Sequence, residues 1–137
     1  MAARITDDSV AQLYARAVLA IARADDEIDH DEGVRLEERI AARTVRPVSL
    51  DALLLADPLD ADDIVDQLRA LAGSPFRHVG LHPAELAEMI VVDAIAVALA
   101  KGHLAEAEVR ELMRFATALG CSREQIRAMS DHLEPWM

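Results

Sequence analysis

The sequence predicts an all-α, single-domain bundle of about seven helices, with two pseudo-symmetric helical hairpins set around a central apolar helix. Three observations carry this reading. The chain is 53% hydrophobic but only 3% aromatic, and the excess is rich in the good helix formers Ala and Leu. Its apolar residues recur at three- and four-residue intervals, and residues 20–42 can be laid over residues 96–118 at a constant offset. A chain of 137 residues has the length of one domain and can bury a core without a disulfide or a metal, so residues 1–137 are read as one unit.

The elements follow in order. Val10, Leu13, Tyr14, Ala17, Val18 and Ile21 mark one face of a helix from about Asp8 to Ala24, capped by Thr6 or Asp7. A second helix begins after Asp29, whose carboxylate can accept the amide of Glu32 while Glu32 reaches back, an Asp version of the capping box. Val34, Leu36 and Ile40 supply its buried side. Between Pro47 and Pro58, Ser49 can cap a short helix through Leu55, and Asp60 can cap another through Leu71 that stops at Gly73. These two are read as connectors.

Ser74 to His82 has no apolar period and reads as a loop. Pro83 suits the first turn of a helix that is apolar on nearly every side from Met89 to Ala100 and ends at Gly102, the centre of the bundle. Two helices remain, Glu106 to Leu119 ending at Gly120, and Arg123 to about Leu133 capped by Ser122 with Gln125 in the reciprocal place. Trp136, behind Pro135, is expected to fold back and close the core.

The formal net charge of −11 opposes attraction to nucleic-acid phosphates and to anionic lipid surfaces. The start, MAARITDDSV, has no signal-peptide character, and the longest apolar run is broken by Asp93, well short of the roughly 20 residues of a membrane span. A cytoplasmic protein without membrane insertion is expected. Cys121 is the single cysteine, which excludes an intrachain disulfide and a multi-thiolate metal site.

In the repeat, Ala20, Ala22 and Ala24 match Ala96, Ala98 and Ala100. Ile28 matches Leu104, Glu32 matches Glu108, Leu36 matches Leu112, and Ala42 matches Ala118. Each copy reads as a hairpin in which alanines allow close helix approach and Ile28 or Leu104 plugs the bend into the core. Ala22, Ala24, Asp25, Asp26, Glu27, Ile28, Asp29, Asp31 and Glu32 resemble the A-x-A-D-G-x-I-x-x-x-E turn of TerB-like domains. Such domains occur in tellurite-resistance proteins and at the front of a DnaJ-type co-chaperone. Ala98 to Glu108, with Gly102 in the glycine place, followed by Leu112 and Ala118-Leu119-Gly120, resembles the same family. The resemblance implies an all-helical fold, a metal site formed by acidic turn residues, and roles in stress response or protein association. Asp26 replaces the first glycine and Lys101 the second aspartate, which puts a metal site using both turns in doubt.

Six carboxylates stand within Asp25 to Glu32. Asp29, Asp31 and Glu32 sit at a helix N-terminus, where negative charge is favoured. Asp25, Asp26 and Glu27 follow a helix C-terminus, where it is not, so a hard cation or Arg23, Arg35 and Arg39 should compensate them. The candidate metal ligands are Asp25, Asp29, Asp31 and Glu32, for Ca²⁺, Mg²⁺ or Mn²⁺. An EF-hand starting at Asp25 fails, with His30 at its sixth position and Leu36 at its twelfth. In the second bend Lys101 can neutralise Glu108, and a tethered ammonium there would make a metal unnecessary.

Asp93, inside an apolar helix, needs a partner such as Arg16 or Tyr14. His78 and His82 bracket a loop without further zinc-like ligands, and Cys121 has no basic neighbour placed to activate it apart from Arg123. No nucleophile-base pair, phosphate-cradling loop or cofactor fingerprint accompanies the acids. The expected function is a non-enzymatic protein-interaction or stress-response module that binds a protein partner. The alternative is a metal-dependent enzyme using Asp25, Asp29 and Glu32. A homo-oligomer through Met89 to Ala100 or the Trp136 end is a third reading.

Overall fold

A computed structural model describes residues 5–24, 28–55, 61–73 and 81–136. Within them lie seven α-helices, α1 (Asp8–Ala22), α2 (His30–Arg43), α3 (Leu50–Leu55), α4 (Ala61–Ala72), α5 (Pro83–Leu99), α6 (Glu106–Ala118) and α7 (Arg123–Arg127), and a 3-10 segment, Asp131–Trp136. Among the described residues there is no strand, only one isolated parallel bridge between Ile5 and Thr44 that ties the N-terminal residues to the end of α2. The all-α class is thus observed. No helix there is long and apolar enough to cross a membrane.

Helix α5 takes the central place, packed against α1, α2 and α6. Its buried residues run from Leu86 to Ala98, and they leave no wide polar face because three neighbours surround it. Helix α1 buries Ala11, Ala15, Ala17 and Ala22 along with Leu19 and Ile21, small side chains that let α5 and α6 come close.

Local signals explain the helix ends. Asp7 caps α1 by accepting from Val10 N–H at 3.0 Å, and Ser49 Oγ accepts from Ala52 N–H at 3.2 Å. Gly102 and Gly120 adopt φ of +104° and +93°, the left-handed turn that releases the chain after α5 and α6.

Four expectations are corrected. Val34 is 42% exposed, because the buried apolar face of α2 consists of Leu36 and Ile40. Helix α4 is a core element and not a connector, since Ile64, Val65 and Leu68 are buried against α6 and α1. The last helix stops at Arg127 instead of Leu133. Ala128 caps it, the chain turns through Met129, and Ser130 Oγ accepts from His132 N–H at 3.2 Å where the 3-10 turn begins, a local bond that competes with continuing the helix. That turn buries Leu133 completely and leaves Trp136 at 38% exposure, so leucine closes this end of the core.

Candidate functional site

The two helix-to-helix bends meet at one place. At the first, Asp29 Oδ1 accepts from Glu32 N–H at 2.8 Å and Glu32 Oε1 accepts from Asp29 N–H at 3.3 Å, the reciprocal cap read from the sequence. At the second, Ala105 has no side-chain acceptor, so only the return half forms. Ala105 N–H donates to Glu108 Oε1 at 2.9 Å. Glu32 and Glu108, matched in the repeat, therefore hold the same third position of their helices. Both are buried, at 1% and 0% exposure.

Between them stands Lys101, just beyond the C-terminal end of α5. Its Nζ lies 3.0 Å from Glu108 Oε1 and 3.9 Å from Glu32 Oε2. The pairing with Glu108 is the one the sequence anticipates; the reach to Glu32 is not, because it crosses from one hairpin to the other. Burial pushes the Glu32 carboxyl above the ordinary carboxylate range, against the opposing pull of the Asp29 amide and the Lys101 ammonium. The second oxygens, Glu32 Oε2 and Glu108 Oε2, are buried without a hydrogen-bond donor.

The candidate metal ligands are distributed differently. Asp29 and Glu32 spend their oxygens on each other's amides, Asp31 is exposed on α2, and Asp25, with Asp26 and Glu27, lies outside the described residues. Asp29, Asp31 and Glu32 do not converge on one point, and among the described residues no three acidic, histidine or cysteine side chains form a metal-ligand group. Arg35 stands 3.9 Å from Glu38, and Arg39 turns to Asp93.

A second buried polar cluster pins α5 to α1 and α2. Asp93, fully buried, accepts from Tyr14 Oη at 2.5 Å, from Arg43 Nε at 3.0 Å and from Arg43 Nη2 at 3.3 Å, with Arg39 Nε 3.7 Å away. Tyr14 is the partner expected; Arg16 is not, and its Nε is buried without an acceptor. The missed arginines carry a signal in hindsight, since Arg39 and Arg43 are one helical turn apart and flank buried Ile40. Hydrogen bonding to Asp93 raises the Arg43 pKa, and burial followed by the Asp93 charge pushes the Tyr14 phenol far above its ordinary value of 10.

The sign of the Tyr14 shift makes a prediction. A phenol whose folded pKa exceeds its unfolded one keeps its full contribution below pH 10 and loses it as pH rises beyond, at about 1.4 kcal/mol per pH unit. Tyr14 is the single tyrosine. Ultraviolet titration should therefore show tyrosinate appearing only together with alkaline loss of helicity by circular dichroism; ionisation near pH 10 in folded protein would contradict the cluster.

On the outer side, α4 and α6 border a groove lined by Val65, Asp66, Arg69, Met113, Arg114 and Thr117, which Arg110 joins to a cleft under Ala20, Arg23, Ala61 and Ala107. Arg114 is held by Asp62 at 2.5 Å and by Glu111 at 3.1 Å, and Arg110 by Glu106 at 3.5 Å. Comparison brings no relative to bear. The chain matches no family model, no curated protein and no solved structure.

The other groups weighed in the sequence serve the fold. His82 Nδ1 accepts from Ala84 N–H at 3.1 Å and caps α5, while His78 lies outside the described residues. Cys121 is buried, which pushes its thiol pKa up and disfavours the reactive thiolate.

Proposed function

We propose that the chain is a TerB-like protein-interaction module whose contact surface is the groove between α4 and α6. The observation that carries this is the groove's construction. Val65, Met113, Ala61 and Ala107 form an apolar floor, and Arg23, Arg69, Arg110 and Arg114 stand around it. An apolar centre with a polar rim rich in arginine is the anatomy of a protein interface, and methionine adapts to varied partners. Asp62, Asp66 and Glu111 line the same groove and two of them pair with Arg114, so the rim is of mixed charge and favours a partner segment with an apolar centre and polar side chains of both signs.

The remaining polar chemistry supports binding over catalysis. Asp93, Glu32 and Glu108 are engaged in holding helices together, and Cys121 is buried. The resemblance suggests stress response as the setting. A photoreactive residue at Met113 should yield cross-linked partner in the source cells, whereas one at Glu38, exposed on α2, should not. Equal yields at the two positions, or no product at Met113, would remove the groove from the reading. Arg110→Glu should reduce the Met113 product at least tenfold, as expected where a central arginine contributes about 1.4 kcal/mol or more.

A further inference from the structure

Resting on the reading of the α4–α6 groove as an interaction surface, we infer that its occupant is a second copy of this chain, each copy seating the outer face of α4 in the other's groove about a twofold axis. Two copies of a chain with net charge −11 repel each other, so they meet most readily where the local surface is not acidic. The groove is such a place. Its charged residues are Asp62 and Asp66 against Arg69, Arg110 and Arg114. Within the chain, Arg114 is engaged with Asp62 and Glu111, and Arg110 with Glu106. Asp66 and Arg69 are left over. Both are exposed, and among the described residues neither forms an ion pair with the other or with a third group.

Asp66 and Arg69 stand three residues apart on α4, hence on one face and about 4.5 Å apart along its axis. The complement of such a pair is the same pair in reverse order. A twofold axis crossing α4 between them supplies it. The second α4 then runs antiparallel to the first, with its Arg69 opposite Asp66 and its Asp66 opposite Arg69, so that one residue pair makes two ion pairs. The apolar centre comes from the half-buried Met113, the edge of Val65 and the exposed Ala70, which follows Asp66 by one helical turn. Helix α4 thereby matches what the groove favours, an apolar middle with polar side chains of both signs.

The test is sedimentation equilibrium of the full chain up to about 500 µM, with two single variants and their mixture. Wild type should approach twice the chain mass. Asp66→Arg and Arg69→Asp should each associate at least about tenfold more weakly, since each sets like charges opposite one another at both symmetric positions. Mixed in equal amounts, the two variants should form a dimer again, because one then carries two cations and the other two anions. Both positions are exposed, so the Tm of either variant should stay within about 3 °C of wild type, which separates lost association from lost folding. Monomeric wild type over the whole range, a single variant that associates like wild type, or a mixture that stays monomeric would each overturn the inference. Capture of a different protein at Met113 by a monomeric chain would overturn the second copy alone, whereas no product there would remove the groove itself.

Discussion

Replacing Asp93 with alanine is expected to destabilise the fold by about 4 kcal/mol, a fall in Tm on the order of 15 °C. The carboxylate is fully buried and accepts three hydrogen bonds, one from Tyr14 on α1 and two from Arg43 on α2. Its removal leaves a largely buried guanidinium without its counter-charge and a buried phenol without its acceptor, and both penalties are paid in full. The intact cluster is a different matter. Burying an ion pair costs desolvation about as large as its attraction, so the triple variant Asp93→Leu/Arg43→Met/Tyr14→Phe should recover most of the loss. Urea unfolding of the single and triple variants measures both. If Asp93→Ala lost less than about 1 kcal/mol, the cluster would not be closed as described.

Phe115→Ala should cost a similar amount, about 3–5 kcal/mol. Phe115 lies on α6, the helix that packs on α1, α4, α5 and α7, and it is one of the largest side chains with no exposure. Few aromatic residues are present to refill its space, and the alanine-rich helices around it are already in close contact, so the cavity should persist. The control is Val34→Ala, at a position 42% exposed, which should change stability by less than about 0.5 kcal/mol. The comparison separates core from pattern, since both positions look apolar in the sequence and only one is buried.

The two bends show how far local reasoning reaches. Asp29 and Glu32 are three residues apart, and that spacing with an apolar run behind it is enough to specify their mutual cap, because every atom involved belongs to one turn. The same holds for Ser122 with Gln125, whose reciprocal bonds measure 3.1 and 2.7 Å. At the second bend the repeat alignment places Glu108 in the role of Glu32 even though Ala105 cannot return the bond. Such features are readable because hydrogen bonding within a turn depends on sequence separation alone.

Contacts between elements are another matter. A need for a partner is visible at Asp93 because a lone carboxylate breaks an apolar helix, but Tyr14 and Arg43 are distant in sequence and Arg16 is an equally good guess by type. Trp136 is the larger apolar side chain and the natural candidate to close the core, yet Leu133 does so, since the break before the 3-10 turn changes which side chain of that segment faces inward.

By itself the sequence determined the helical class, most of the helix starts and stops, the caps, and the matching helix position of Glu32 and Glu108. These rest on periodicity, capping side chains and backbone rules that act within a few residues. Only the tertiary structure decided that α4 belongs to the core, which arginines answer Asp93, that α4 and α6 leave a groove, and that one lysine serves glutamates from both hairpins. Those outcomes turn on the direction in which packed helices point their side chains, and three-dimensional proximity of that kind has no counterpart in the spacing along the chain.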